Sequence, residues 1–355
     1  PLATITGYLW DFGDGNTSTD TNPVHTFTSG NSFYNVDLTV TQDVGSLSNT
    51  ITKTVAFDVD IEVLLVGGGG SGARGSYNPV GNGAGGGAGA AYFLSGSNKL
   101  SVPAYTDLYF VVGAGGAIPG FQARGNNGGT TSIIKSSSPS FQYDAGGGGG
   151  GGGGSGGGNT SGKNNTDGVD APTQAGSPTG FLRGNGGGGA IFWFYQGLGG
   201  AGTYQGYTSS GSSGHGAGVN GQGATYTSIG PGQNIGTGSG NNDKIFRSVS
   251  TYMVGQGGNG QPPTSSSPIT NPMTGAGSGG YGGQSNPNFY GQGNVPSAGN
   301  DGGVYIKVPS TYMITNNAGW QMDQGNYTHN GVTYDFYYVE TNGAHTIRVI
   351  GPFGN

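Results

Sequence analysis

The chain has 355 residues, no cysteine, a formal charge of −6 at pH 7, 8% charged and 11% aromatic residues, and 83 glycines. The acidic balance gives no grip on phosphate backbones or anionic lipid, which argues against nucleic acid and membrane surfaces as partners. Without cysteine there are no disulfides, thiolate metal sites or cysteine nucleophiles, and no apolar run approaches the ~20 residues of a membrane-spanning helix.

Glycine and proline make up more than a quarter of the chain, a share that normally marks a chain without a packed fold. Disordered segments, however, are poor in aromatics and rich in charge. With 20 Tyr and 15 Phe, an ordered protein of unusual construction is expected. The chain opens at Pro1 with no charged, apolar leader, which marks it as processed or partial, so its compartment is not read from that end.

In chain order, residues 8–59 show period-two alternation with closely spaced turn signals, as in a small antiparallel sandwich. "YNVDLTV" places Tyr34, Val36, Leu38 and Val40 on one face and Asn35, Asp37 and Thr39 on the other. "WDFGDGNTST" supplies a Gly/Asp/Asn turn after an aromatic strand end. Together, Trp10-Asp11-Phe12-Gly13-Asp14-Gly15, Pro23, His25, Phe27 and the alternating strand resemble a PKD domain. The resemblance implies an immunoglobulin-like β-sandwich serving as a spacer or binding module, with His25 structural. The first strand of that family is short or absent before Gly7, which leaves a sheet edge for a preceding domain or partner chain. Asp11-Phe12-Gly13 also spells the magnesium triplet of protein kinases, but no H-R-D segment or strand lysine accompanies it. Asp11, Asp14 and Asp20 offer carboxylates for calcium in principle, while capping of turns is their commoner role.

"IEVLLVGGGGSGARG" runs a hydrophobic strand into glycines, and Gly70, Gly72 and Gly75 fit a G-x-G-x-x-G spacing. A dinucleotide site needs a helix starting at those glycines. Asn78-Pro79, Gly81, Gly83 and Gly85 to Gly87 leave no helical stretch, and no Gly-Lys-Ser/Thr comes after them to make a P-loop. The pattern of strand then glycines recurs at "DLYFVVGAGGAIPG" and, without an evident strand, at "YDAGGGGGGGGGSGGG". Further glycine runs surround residues 184–189, 255–260 and 275–283. "GGVYIKV" reads as a closing strand with Val304, Ile306 and Val308 on one face, so strands 61–66 and 304–308 bracket one domain.

Each glycine costs about 0.5–1 kcal/mol more to order than alanine, and net stability is only about 5–15 kcal/mol. So many glycines are tolerable only if most stay mobile, or if backbones pack too closely for any side chain. Extended helices of three residues per turn meet the second condition, because they have no internal hydrogen bonds and must bond laterally. Residues 61–308 resemble the glycine-rich domains of bacteriophage tail-fibre and tail-tip adhesins, which implies packed polyglycine II helices holding loops that touch a host surface. Aromatic clusters between the glycine runs are the candidates for that contact: Tyr204 and Tyr207 in "TYQGY", Phe289 and Tyr290 in "NPNFYG". Ile191 to Tyr195 reads instead as a buried strand or an oligomer contact.

"GVTYDFYYVETNGAHTIRVIG" alternates over two runs separated by Thr341-Asn342-Gly343, a hairpin signal. Tyr334, Phe336 and Tyr338 share a face, with Ile347 and Val349 opposite them on the return strand. His215, His329 and His345 are scattered, so spacing proposes no metal cluster or Ser-His-Asp arrangement.

The expected architecture is mainly β: a PKD-like sandwich (1–59), a glycine-rich body of short strands and polyglycine II segments (60–309), and a small C-terminal β-hairpin cap (310–355). The expected role is a non-enzymatic virion-surface or tail-fibre protein that attaches a bacteriophage to its host, without catalytic residues, metal or cofactor. Its expected partners are a host receptor, glycan or outer-membrane protein, and other fibre subunits in a homo-oligomer, a trimer foremost. It would sit on the virion surface or outside the cell, with no membrane insertion. The alternative is a bacterial extracellular matrix, filament or cell-surface adhesin subunit. A surface polysaccharide hydrolase ranks third, because acidic residues are sparse and none pair in a groove-forming motif.

Overall fold

The computed structural model describes residues 4–27, 33–43, 47–74, 83, 85–120, 123–135, 141–151, 233–235, 245–249, 252–258, 275–283, 295–316 and 319–352. The chain is mainly β, in several antiparallel sheets.

The N-terminal domain is one sheet of β1 (Ile5–Asp11), β2 (Thr17–Ser18), β3 (Phe33–Gln42) and β4 (Ser48–Ala56), in the order β2-β1-β3-β4. The turn after β1 is made by its acids: Asp11 Oδ1 accepts the Gly13 N–H at 2.9 Å and Asp14 Oδ1 accepts the Asn16 N–H at 3.0 Å. Gly13 has φ +75°, and a Cβ there would lie 2.5 Å from the Asn35 carbonyl oxygen, so this corner requires glycine. Across one half of the sheet face, Trp10 Nε1 donates to the Asp20 carbonyl at 3.0 Å and Phe27 stacks on Tyr34 at 4.6 Å. A two-sheet sandwich was the expectation; among the described residues of this domain there is one sheet, and its buried apolar side chains are Phe12 and Tyr34.

The rest of the chain runs through β5 (Asp58–Val66), β6 (Ala91–Leu94), β7 (Leu100–Pro103), β8 (Thr106–Val112), β9 (Thr131–Lys135), β10 (Phe141–Ala145), β11 (Gln233–Asn234), β12 (Met253–Val254), β13 (Gly303–Pro309), β14 (Tyr312–Asn316), β15 (Gln321–His329), β16 (Val332–Val339) and β17 (Gly343–Pro352). Two large sheets result. One has the order β10-β9-β8-β17-β14, the other β15-β16-β13-β5-β6, with β7 pairing the first half of β5. Between them lies a core that includes Val63, Leu65, Phe110, Ile133, Ile306 and Ile347. The strands at 61–66 and 304–308 pair directly, with Val63 opposite Ile306. The other face of β5 is covered too: Leu64 and Val66 pack with Phe93, Ile235, Phe246, Val254 and Tyr305. Burial on both faces explains why "IEVLLV" is an apolar run with little alternation.

The N-terminal sheet joins this body at a fixed corner. The Ala104 N–H donates to the Phe57 carbonyl at 2.9 Å, and the Tyr105 ring meets Phe33 edge-on at 4.9 Å, with Tyr105 held at φ +64°.

Strands β14 to β17, in the stretch expected to form a small C-terminal β cap (310–355), are woven into both sheets. The Thr341-Asn342-Gly343 turn does not close a hairpin, because β16 pairs with β13 and β15 while β17 pairs with β8 and β14. Ile347 and Val349 therefore face the common core and not Tyr334, Phe336 and Tyr338. The true hairpin lies one strand earlier, β15 to β16, where Asn330 (φ +49°) and Gly331 (φ +78°) form the turn. Two successive positive φ values match the twist of a two-residue hairpin.

Candidate functional site

Strands β5, β8 and β10 run out into glycine at one end of the two-sheet body, and β6, β9 and β13 are entered from glycine at the same end. The "YDAGGGG" run is thus preceded by a strand after all, β10.

The 67–74 segment occupies the centre of these glycine runs, and its N–H groups leave in three directions with a period of three. Gly67 and Gly70 donate to Ala90 and Gly87; Gly68, Ser71 and Arg74 to Gly129, Asn126 and Ala123; Gly69 and Gly72 to Asn300 and Ser297. Its carbonyls accept from three other segments: Gly68 and Ser71 from Gly148 and Gly151, Gly69 from Gly116, Gly70 and Ala73 from Gly280 and Gly283. Partner numbers fall as 67–74 rises in the first group and rise with it in the second. The centre therefore has three antiparallel and three parallel neighbours. The six also bond to one another, in the cyclic order 85–90, 146–151, 123–130, 113–118, 295–302 and 275–283. Seven extended segments with lateral bonds every third residue make a hexagonal bundle of three-residue-per-turn helices.

Close approach is what requires the glycines. A Cβ on Gly67, Gly68, Gly69 or Gly70 would lie 2.1–2.2 Å from a neighbour's carbonyl oxygen. One turn beyond Gly68, Ser71 carries a side chain, and its Oγ accepts the Asn126 N–H at 2.8 Å. The bundle is tied to the sheets by polar side chains: Thr131 Oγ1 donates to the Val66 carbonyl at 2.7 Å, and the Asp301 carboxylate accepts from the Gly115 N–H and the Asn342 side chain.

The end of the bundle away from the sheets is the candidate functional site. There Arg74 bonds Ala123, Gly283 bonds Ala73, Gly83 bonds Gly283 and Gly151 bonds Ser71. Near this end the described chain breaks off after Arg74, Gly120, Gly151, Gly258 and Gly283. The sequence-selected Tyr204, Tyr207, Phe289 and Tyr290, like Ile191 to Tyr195 and His215, lie outside the described residues; the residues before their intervals, Gly151 and Gly283, are both held at this end.

A second polar cluster was not foreseen. The Arg247 guanidinium lies 4.1 Å from the ring centres of both Tyr252 and Tyr338. It donates to Asp323 Oδ2 at 3.2 Å, to Tyr338 Oη at 3.0 Å and to Glu340 Oε1 at 3.4 Å. Glu340 Oε1 also accepts from the Tyr305 hydroxyl at 2.6 Å and from Tyr252. Burial, reinforced by the Glu340 charge, pushes both of these phenols well above the usual tyrosine range. The donors and acceptors satisfy one another, so the cluster clamps Arg247 and Tyr252 to the sheet. Within "FRSVSTYMV" only Tyr252 is a partner of this arginine; its hydrogen-bond partners are about 75–95 residues away.

In the N-terminal domain, Asp14 Oδ2 lies 2.7 Å from His25 Nε2, and the His25 ring stacks on Phe12 at 4.0 Å. Burial acts to raise the Asp14 carboxyl, but the hydrogen bonds from His25 and the Asn16 N–H outweigh it and hold the group below its ordinary range. The acids of this turn cap it, and His25 is a packing residue. Among the described residues no group of three His, Asp or Glu is placed to hold a metal ion, and no helix is long and apolar enough to cross a membrane.

Comparison with known proteins finds two families along the chain. The PKD domain family matches residues 1–58. A stretch of 54 residues is 48% identical to Collagenase ColQ1 of Bacillus cereus (strain Q1) and, at the same identity, to Pre-pro-metalloprotease PrtV of Vibrio cholerae serotype O1. That stretch is 15% of this chain and 6% of each of those longer proteins. No solved structure matches the chain. The glycine-rich domain family matches residues 44–334, most of the length, and the chain belongs to that family.

Proposed function

We propose that this chain is a non-enzymatic attachment protein of a virion surface, a component of a bacteriophage tail fibre that contacts the host cell. The observation that carries the reading is the glycine bundle itself: the described chain breaks off repeatedly near one end, on a base locked by backbone hydrogen bonds. Recognition elements bind well when a rigid base carries variable connections. In this reading the N-terminal PKD-like sheet is a spacer, and Tyr204, Tyr207, Phe289 and Tyr290 belong to the contacting intervals.

The test is adsorption. The purified chain should bind cells of the host and compete with phage for them. The paired variants Tyr204→Ala/Tyr207→Ala and Phe289→Ala/Tyr290→Ala should each weaken binding at least tenfold while thermal unfolding is unchanged. A wild-type chain that binds no cells of the co-isolated host would overturn the reading.

A bacterial extracellular matrix or surface adhesin subunit is the second reading, supported by the 54-residue similarity to proteins of Bacillus cereus and Vibrio cholerae. Tail genes or secretion genes beside the coding sequence separate the two. So does symmetry, a closed trimer suiting a fibre tip and an open array a matrix.

A further inference from the structure

β7 pairs with β5, and β8 with β17 and β9; two residues, Ala104 and Tyr105, turn the chain from one to the other. Tyr105 has φ +64°. A left-handed residue at the second central position of such a turn is ordinarily glycine, because a Cβ is crowded there, and for a large aromatic residue the conformation is a true outlier. The chain holds 83 glycines, yet this position has tyrosine. Backbone conformation therefore does not account for the residue, and the reason lies in its side chain.

That side chain stands at the junction of the two domains. β4 ends at Ala56 and β5 begins at Asp58, so Phe57 alone links the N-terminal sheet to the body. The Phe57 ring packs into the N-terminal aromatic cluster, 5.7 Å from Phe27 and 6.0 Å from Tyr34, and its carbonyl accepts the Ala104 N–H at 2.9 Å. The Tyr105 ring meets Phe33 edge-on at 4.9 Å, and Phe33 pairs with Ala56, the last residue of β4. On the body side Ala104 is part of the common core, and the Tyr105 N–H donates to the Val349 carbonyl of β17 at 2.9 Å. The Tyr105 backbone is thus fixed to the body while its ring touches the N-terminal sheet. Relative motion is the default where domains share a small interface. A one-residue link with one hydrogen bond leaves the sheet able to pivot about Phe57; a ring contact on the neighbouring strand removes that freedom.

We propose that Tyr105 is a positioning residue that holds the N-terminal sheet in one direction on the two-sheet body, making that sheet a rigid arm and not a tethered module. The left-handed backbone aims the ring out of the body at Phe33. Glycine would adopt the same turn more easily but would leave nothing to aim. An arm held in this way keeps its far end in a fixed direction relative to the glycine bundle. The inference concerns how the spacer is held and stands apart from which surface the chain attaches to.

The chain has no cysteine, so spin labels on Thr52→Cys and Gln321→Cys, both at exposed strand positions, report one distance between sheet and body. Pulsed electron spin resonance should give a single narrow distance distribution for this labelled chain and for its Tyr105→Phe variant, which keeps the ring. Tyr105→Gly and Tyr105→Asn tolerate the left-handed backbone and lose the ring. Each should widen the distribution at least twofold, while amide exchange in β5, β13 and β17 stays as slow as before. A distribution already broad with Tyr105 in place overturns the proposal, and so does one that stays narrow in both variants. Exchange that accelerates in β5 and β13 along with the widening would make Tyr105 a support of the body's own fold, which overturns it as well.

Discussion

The Cβ that Gly68 lacks would sit 2.2 Å from the carbonyl oxygen of Ala114. Gly68 is bonded on both sides as well, donating to Gly129 and accepting from Gly148, so it cannot move away without breaking a bond. Gly68→Ala should therefore destabilise the chain by roughly 3 kcal/mol, at the upper end of overpacking costs. Gly15→Ala is the contrast: its Cβ would meet nothing within 4 Å, and only its positive φ opposes the change, at about 1 kcal/mol. Urea unfolding of the two variants checks the difference. Equal losses would mean that bundle packing does not carry the stability assigned to it.

Glycine conceals part of this architecture from a reader of the sequence and discloses another part. The lateral bonding of three-residue helices is legible from a backbone argument alone, and the pairing of strands 61–66 and 304–308 from their apolar residues. The threefold direction of each N–H is invisible in a run of identical letters; only interruptions such as Ser71, Ala114 and Ala117 mark it. Hydrophobic period assigns faces but not partners, which is why Thr341-Asn342-Gly343 reads as a hairpin turn when it carries the chain from one sheet to the other. The proposed contact aromatics stand outside the described residues, and the Arg247 cluster assembles from side chains that no local pattern connects.

Lys307 and Glu62 face each other across β13 and β5, with Nζ 2.5 Å from Oε2 and both side chains buried. Lys99 reaches the other Glu62 oxygen at 3.6 Å. Removing one partner of a buried pair strands the other charge, which typically costs about 3–5 kcal/mol. Lys307→Met should show a loss near the lower end, because Lys99 remains, and the double variant Lys307→Met/Glu62→Gln should recover part of it. Chemical denaturation of the four forms gives the coupling; a double variant no more stable than Lys307→Met alone would contradict it.

Alkaline pH should act on the tyrosines around Glu340. Burial, then the nearby carboxylate, raises the phenols of Tyr252 and Tyr305 above the ordinary value of 10.0. The folded state thus keeps protons that the unfolded chain releases. Stability from this source is fully present below about pH 10 and falls as pH rises further, since the unfolded state then binds fewer protons. Thermal unfolding between about pH 9 and 12 should show the decline, and absorbance titration should find these phenols among the last to ionise. Tyr252→Phe removes one such proton and should shallow the slope.

The hairpin at Asn330-Gly331 offers the sharpest separation of turn chemistry from packing. Both residues have positive φ, at 49° and 78°, yet a Cβ on Gly331 would meet nothing within 4 Å. Any cost of substitution there is conformational. Asn tolerates the left-handed region better than most residues, so Asn330→Gly should be nearly neutral and Asn330→Val costly by about 1–2 kcal/mol, with Gly331→Ala near 1 kcal/mol. Because β15 is the edge of its sheet and pairs, among the described residues, only with β16, the loss should appear first as faster amide exchange in residues 321–329, with β5 and β13 unaffected. Exchange that accelerated equally in all three strands would mean that this turn, rather than the central β5 and β13 pair, holds the sheet together.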